Sequence, residues 1–292
     1  MTDISKGINF ILISSLSFAF MGAMVKFAGD IPIYEKVLFR NLISLIIAVI
    51  VVYKTKVPLF GKKENRGFLL LRSFFGLSGV VLYFYAIDNM YLADSSMLNK
   101  LSPFVVTILA KFFLKEKIQK FQIPLLVIVF LASLLIIKPQ FDLSIMPALA
   151  GLGSALAAGS AYTVIRYLGP REKPATIVFL FSLISVVGML IPTSIVFVMP
   201  TYEELMYLIG TGVFAAGGQF ALTYAYRFAP ASELAIYNYA HIIFSAIVGY
   251  MFWSEISDVW SLTGGAIIIS VSVAAWYFGR SEQSKSALQT NK

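Results

Sequence analysis

The chain has 292 residues, of which 59% are hydrophobic and 13% charged, whereas a soluble globular domain carries about 45–50% apolar and about 25% charged residues. One water-soluble core could not hide this much apolar surface, and the absence of cysteine excludes disulfides, thiolate metal sites and cysteine nucleophiles. The formal net charge of +8 falls mainly in alternate joints between apolar runs, which makes it a topology signal rather than a footprint for nucleic acid.

Ten apolar runs follow one another, at about 8–28, 33–53, 67–87, 93–114, 121–138, 147–168, 175–198, 204–226, 231–253 and 260–279. Each is close to the roughly 17–25 residues that a bilayer asks of a helix. The first is too long for the apolar core of a secretory signal, and nine more follow it, so it reads as a retained helix. The second contains KVLFRNLISLII at 36–47, which sets Arg40 and Asn41 among leucines and isoleucines. The third carries Arg72 near its inner start, where it either closes the inner end of a pocket or sits as an interfacial arginine. The fourth places Asn99, Pro103 and Thr107 on one face at helical spacing, with Ser95 and Ser96 just above and Lys100 alongside. Lys111, one turn from Lys115, snorkels to the surface. The fifth holds Pro124. The sixth has Gly151, Gly153 and Gly159, and the eighth Gly210, Gly212, Gly217 and Gly218, all suited to close helix approach. The eighth also aligns Gln219, Thr223 and Tyr226 on one stripe, and Arg227 with Glu233 brackets the next joint as a structural pair. The ninth puts Asn238, His241 and Ser245 on one face, with Tyr237 and Tyr239 beside them.

The basic residues orient these runs. Lys6 precedes the first; Lys54, Lys56, Lys62, Lys63 and Arg66 lie between the second and third; Lys115, Lys117 and Lys120 follow the fourth. Arg171 and Lys173 follow the sixth, and Arg280 and Lys285 the tenth. The intervening joints are poorer in Lys and Arg and hold Glu203, Glu204, Glu255 and Asp258. Both termini are therefore expected on the cytoplasmic side of the cell (inner) membrane.

Arg40 lies about seven residues past the outer start of its run, or roughly 10 Å down at 1.5 Å per residue. Lys100 lies at a similar depth in the fourth run. A charge near the bilayer centre costs about 2.5–3.5 kcal/mol on insertion scales, and such residues usually face a cavity or the bundle interior. Two readings stand side by side. Either the cations meet an anionic group of a solute, for which arginine's planar fork is suited, or they snorkel outward or are neutralised by Asp88 and Asp94. Asn99 and Asn238 are either pocket residues or partners in helix-to-helix hydrogen bonds worth about 0.6–2 kcal/mol. His241, the only histidine, is either a satisfied polar residue of the bundle or a group that couples transport to protons. Tyr85 and Tyr224 either line the cavity or anchor at the interface.

An internal repeat organises the chain. A shift of 139 residues superposes Leu69 on Leu208, Phe75 on Phe214, Gly79 on Gly218, Tyr85 on Tyr224, Asn99 on Asn238 and Glu116 on Glu255. Nearby offsets pair Ser14 with Ser154 and Lys26 with Arg166. Each half, 1–140 and 141–292, then holds five spans, and an odd number starts the second half on the opposite side of the membrane. Inverted repeats of this kind are a common build for secondary transporters.

The segments YAIDNMYLADSSMLNKLSPFVVTILAKFFLKEKI at 85–118 and YAYRFAPASELAIYNYAHIIFSAIVGYMFWSEI at 224–256 resemble the drug/metabolite transporter superfamily, EamA family. The likeness rests on Ala93, Pro103 and Glu116 in the first half and on Ala231 and Glu255 in the second. Arg40 together with LRSFFG at 71–76 and LAD at 92–94 is most similar to an organic-anion-like branch. Pro124 in the fifth span, and Ile242 where the second half would repeat Pro103, depart from the pattern. The resemblance implies spans one to four and six to nine around a central cavity, with five and ten peripheral.

The expectation is thus an all-α integral membrane protein of ten transmembrane helices in two inverted five-helix repeats. It would act as a secondary transporter of a small metabolite with an anionic group, coupled to a proton or a counter-solute. The candidate binding residues are Arg40, Asn99, Lys100, Asn238, His241, Tyr85, Tyr239 and Gln219. An exporter of neutral or zwitterionic amino acids or drugs is the chief rival, and a channel or lipid scramblase a distant one, since neither a filter-like loop nor a ring of like residues is visible. Catalysis is not expected: the chain has no G-x-S-x-G elbow, no H-E-x-x-H and no paired acids within its spans. No metal or cofactor is implied, and no phosphate-binding loop is present to couple transport to a nucleotide.

Overall fold

A computed structural model describes residues 3–113, 121–137, 145–168, 171–228, 234 and 237–290. Glu116, Ala231, Glu233 and the basic residues Lys115, Lys117 and Lys120 lie outside them. The described residues are helical, with eleven α-helices: α1 (Asp3–Phe27), α2 (Ile33–Thr55), α3 (Arg66–Asn89), α4 (Leu92–Asn99), α5 (Ser102–Phe113), α6 (Gln122–Ile137), α7 (Met146–Leu168), α8 (Pro174–Val196), α9 (Tyr202–Phe228), α10 (Ala240–Trp253) and α11 (Val259–Thr290). Seven of these, α1, α2, α3, α7, α8, α9 and α11, include segments long and apolar enough to cross a membrane, and α6 and α10 are shorter apolar helices. The chain is a multi-pass membrane protein. Its polarity is inverted accordingly. Ile191 and Ile195 on α8 are 73% and 77% exposed, while Ser14, Ser15, Ser73 and Ser154 are fully buried.

The fourth predicted span is two helices rather than one. Pro103 has no N–H to give the Asn99 carbonyl, and the chain turns at Lys100 and Leu101 before α5 begins, with proline in its first turn. The ninth span turns at Tyr239, immediately before α10. Lys100 and Tyr239 are equivalent under the 139-residue shift, so the two halves interrupt at the same place. The second interruption occurs without proline and is slighter: Tyr239 keeps right-handed helical angles of φ −72° and ψ −12°.

The helices pair across the two halves. The first helix of each half packs on the third of the other, α1 on α9 and α7 on α3, while α2 packs on α8 and α6 on α11. Exchanging the halves leaves this pairing unchanged. Gly79 and Gly218, matched in the repeat, make the two long crossings close. A Cβ on Gly79 would lie 3.3 Å from the Ala157 Cβ, and one on Gly218 3.0 Å from the Phe18 ring. Buried hydrogen bonds reinforce the crossings, as where the Ser14 hydroxyl donates to the Gly218 carbonyl at 2.8 Å.

Candidate functional site

The most unusual chemistry in the bundle lies where α2, α3, α7 and α8 meet. Arg40 on α2 is 5% exposed and Arg72 on α3 is 3% exposed. Both guanidinium groups approach the buried ring of Phe181 on α8, at 5.3 Å and 3.7 Å from its centroid. Such contacts offset part of the desolvation of a cation, at about 0.5–2 kcal/mol each. Gly76, one turn after Arg72, makes the arrangement possible, because a Cβ there would lie 2.8 Å from both Arg72 Nη1 and Phe181 Cε2. Arg40 Nη1 donates to Asn41 Oδ1 at 2.6 Å, and the Asn41 amide donates in turn to the Val37 carbonyl at 2.8 Å. Tyr162 on α7 is close enough to interact electrostatically with both arginines. Arg40 Nε, Arg72 Nε and Arg72 Nη1 are buried donors without a hydrogen-bond partner among the described residues.

A second polar group gathers at the helix interruptions. Lys100, 7% exposed, donates to Asn238 Oδ1 at 3.0 Å. The Asn99 amide donates to Ser154 Oγ on α7 at 3.0 Å, and Ser15 Oγ on α1 reaches the Asn238 carbonyl at 3.5 Å. Ser15 and Ser154 are 139 residues apart, as are Asn99 and Asn238, so each interruption is held by the first helix of the other half. His241 is 2% exposed; it hydrogen-bonds the Phe18 backbone and lies within electrostatic range of Lys100, while its Nδ1 has no partner among the described residues. Nearby, Tyr83, Ser96 and Ser245 form a hydroxyl chain with links of 3.1 and 2.9 Å.

Of the residues singled out in the sequence, Arg40 lies in the arginine group, and Lys100, Asn99, Asn238 and His241 lie in the second. Lys100 bonds Asn238 and Arg40 bonds Asn41; similar depth on two helices says nothing about which way each side chain points. Asn99 and Asn238 take different partners, Asn99 bonding Ser154 and Asn238 accepting from Lys100 and Ser15. Tyr239 is 3% exposed in an apolar cluster with Met97, Leu101, Ile268 and Val271, on the side of α6 and α11. Tyr85 and Gln219 are half-buried on α3 and α9. Sequence reasoning left out Phe181 and Tyr162, and it left Arg72 either closing the inner end of a pocket or sitting at the interface.

The two aspartates that the sequence offered as neutralising partners lie at helix ends, Asp88 at the close of α3 and Asp94 at the start of α4. Asp88 binds Lys36 at 2.7 Å, and Asp94 accepts the Ser257 hydroxyl at 2.6 Å and the Ser261 hydroxyl at 3.3 Å. Glu255 pairs with Lys26 and accepts the Leu92 N–H at the start of α4 at 2.9 Å, a favourable place for an anion. On the opposite side of the bundle, Glu172 accepts the Lys62 N–H at 2.9 Å and the Asn65 amide at 2.7 Å.

Comparison with known proteins places this architecture. The EamA-like transporter family matches the chain twice, over residues 5–138 and 145–276. The pseudopaline exporter of Pseudomonas aeruginosa is 33% identical over 93% of this chain and 96% of its own length. Solute carrier family 35 member G1 of Homo sapiens is 26% identical over 93% of this chain and 80% of its own. The riboflavin transporter of Vibrio cholerae is 24% identical over 92% of both. A solved crystal structure shares the fold at a TM-score of 0.69, with 15% identity over 94% of this chain and 98% of that one.

Proposed function

The chain belongs to the EamA-like transporter family and is a membrane transporter, and from that premise we propose that it moves a small organic metabolite with an anionic group by secondary active, alternating-access transport. The observation that carries the anionic character is the pair of buried arginines on Phe181 with three unpartnered donors. An unpaired buried charge is costly, and a solute carboxylate or phosphate would relieve that cost while it occupies the site. Asn99, Lys100, Asn238 and His241, at the paired interruptions, would orient the rest of the solute. Interrupted helices near the midplane are where many secondary transporters bind substrates and coupling ions.

In this reading the chain makes ten spans in two inverted repeats, 1–140 and 141–292. The helices α4 and α5 together form the fourth, and α10 with the residues before it forms the ninth. Both termini face the cytoplasm of a cell whose inner membrane holds the protein, and a proton or counter-solute drives the cycle. The rival reading, export of neutral or zwitterionic amino acids or drugs, makes Arg40 the structural partner of an acid. The hydrogen bond of Arg40 to an amide, Asn41, counts against it.

A thermal-shift screen of metabolites on the purified protein, wild type beside Arg40→Gln, tests the proposal. A ligand at a hundred times its Kd stabilises the folded state by about 2.7 kcal/mol. Carboxylates or phosphates should raise the melting temperature of the wild type and lose that effect in the variant. Shifts from neutral or cationic compounds alone, equal in both proteins, would hand the function to the rival reading.

A further inference from the structure

We infer that the solute group bound by this transporter is doubly anionic, two carboxylates or one phosphate monoester, held by Arg40 and Arg72, whose guanidinium groups lie over Phe181; the inference rests on the anionic reading above and narrows it. The argument is one of charge and donor accounting. Both guanidinium groups are within reach of one ring, so their central carbons lie within about 9 Å of each other, the two ring distances laid end to end. Each interacts unfavourably with the other through space, and both are almost fully withdrawn from solvent. A guanidinium stays charged under all ordinary conditions, so neither arginine can escape by losing its proton, as a buried lysine can. The buried site therefore holds two fixed positive charges.

No carboxylate among the described residues supplies the balance. Asp88, Asp94, Glu172 and Glu255 are engaged at helix ends, Glu35 accepts the Val198 N–H, and the one side-chain hydrogen bond of the arginine pair goes to the neutral amide of Asn41. A single carboxylate in this position would leave one guanidinium uncompensated. A second negative charge removes that imbalance and gives the open donors on both arginines an acceptor. The donors come from two helices, α2 and α3, so the two anionic groups would be gripped separately or one tetrahedral dianion would be shared.

The experiment uses wild-type protein in detergent and a matched series of probes: butyrate against succinate and glutarate, with inorganic phosphate as the tetrahedral dianion. Apparent dissociation constants come from melting temperature against probe concentration. Succinate or glutarate, or phosphate, should bind at least roughly tenfold more tightly than butyrate, the difference expected of one additional charge-assisted contact. Which of them binds separates the two sources of charge. Arg40→Gln and Arg72→Gln should each bring the preferred dianion down to the affinity of butyrate. Equal binding of mono- and dianions by the wild type would overturn the double charge and leave the anionic reading standing. Failure of every anion to shift the melt, in a protein that neutral compounds do stabilise, would overturn both. The wild-type comparison decides the matter even if either variant fails to fold.

Discussion

At the scale of single residues, the arginine site depends on a hydrogen atom. Gly76 leaves room for the Arg72 guanidinium to lie over Phe181, and any side chain there would meet both at 2.8 Å. Gly76→Ala should therefore cost about 1–3 kcal/mol in stability, the range for overpacking, and should weaken anion binding at least tenfold by moving Arg72. Melting curves with and without the stabilising anion measure both effects; unchanged affinity would mean that the Arg72 position does not matter for binding. Phe181→Leu keeps most of the bulk but removes the ring and both of its cation contacts, and should cost about 1–4 kcal/mol, seen as a lower melting temperature without ligand. Arg40 was legible in the sequence because a charge in an apolar run stands out. Phe181 was not, being one of 25 phenylalanines in a run with no charged residue to mark it. Arg72 was visible but left between the inner end of a pocket and the interface, because depth along a helix does not tell how far a long side chain reaches inward.

At the scale of elements, the interruption at Lys100 matters most. Pro103 removes a backbone donor, and the turn that results carries Lys100 to Asn238. Pro103→Ala restores the donor, which should let α4 run on into α5 and slow amide exchange at residues 100–105. The melting temperature should change little, because Pro103 already sits in the first turn of α5, where a proline costs a helix almost nothing. Exchange as fast as in wild type would show that the turn is imposed by tertiary contacts alone. Asn238→Ala leaves the Lys100 ammonium without its acceptor and should cost about 1–3 kcal/mol; adding Lys100→Met should recover most of that loss, a coupling that a double-mutant cycle on melting data reads directly. The polar faces of the fourth and ninth spans were legible from spacing. The break itself was not, although Pro103 marked the place, because a proline within a membrane helix can also be absorbed as a kink. The second break had no sequence marker: Ile242 stands where a proline would have announced it.

At the scale of the whole molecule, ion pairs near helix ends tie the bundle together. Lys26 on α1 meets Glu255 in the joint before α11, and Glu255 also receives the start of α4. Glu255→Gln should lower stability by about 1–3 kcal/mol and loosen this end, beside a depression of about 510 Å³ lined by Lys26, Asp30, Asp88 and Trp253. Because the chain contains no cysteine, Asp30→Cys provides a single reactive thiol. A membrane-impermeant maleimide should label it in intact cells, faster in the Glu255→Gln background, whereas Lys62→Cys should stay unlabelled until the membrane is opened. The reverse pattern would turn the proposed topology over. The cross-pairing of α1 with α9 also sets a schedule for biogenesis. Ser14 and the carbonyl it binds on Gly218 are 204 residues apart, so at about 5–20 residues per second the first helix sits in the bilayer for roughly ten to forty seconds before its partner is synthesised. During that wait the Ser14 hydroxyl and the rings of Phe10, Phe20 and Phe27, which later meet α9, have only lipid, their own helix or a borrowed neighbour to turn to.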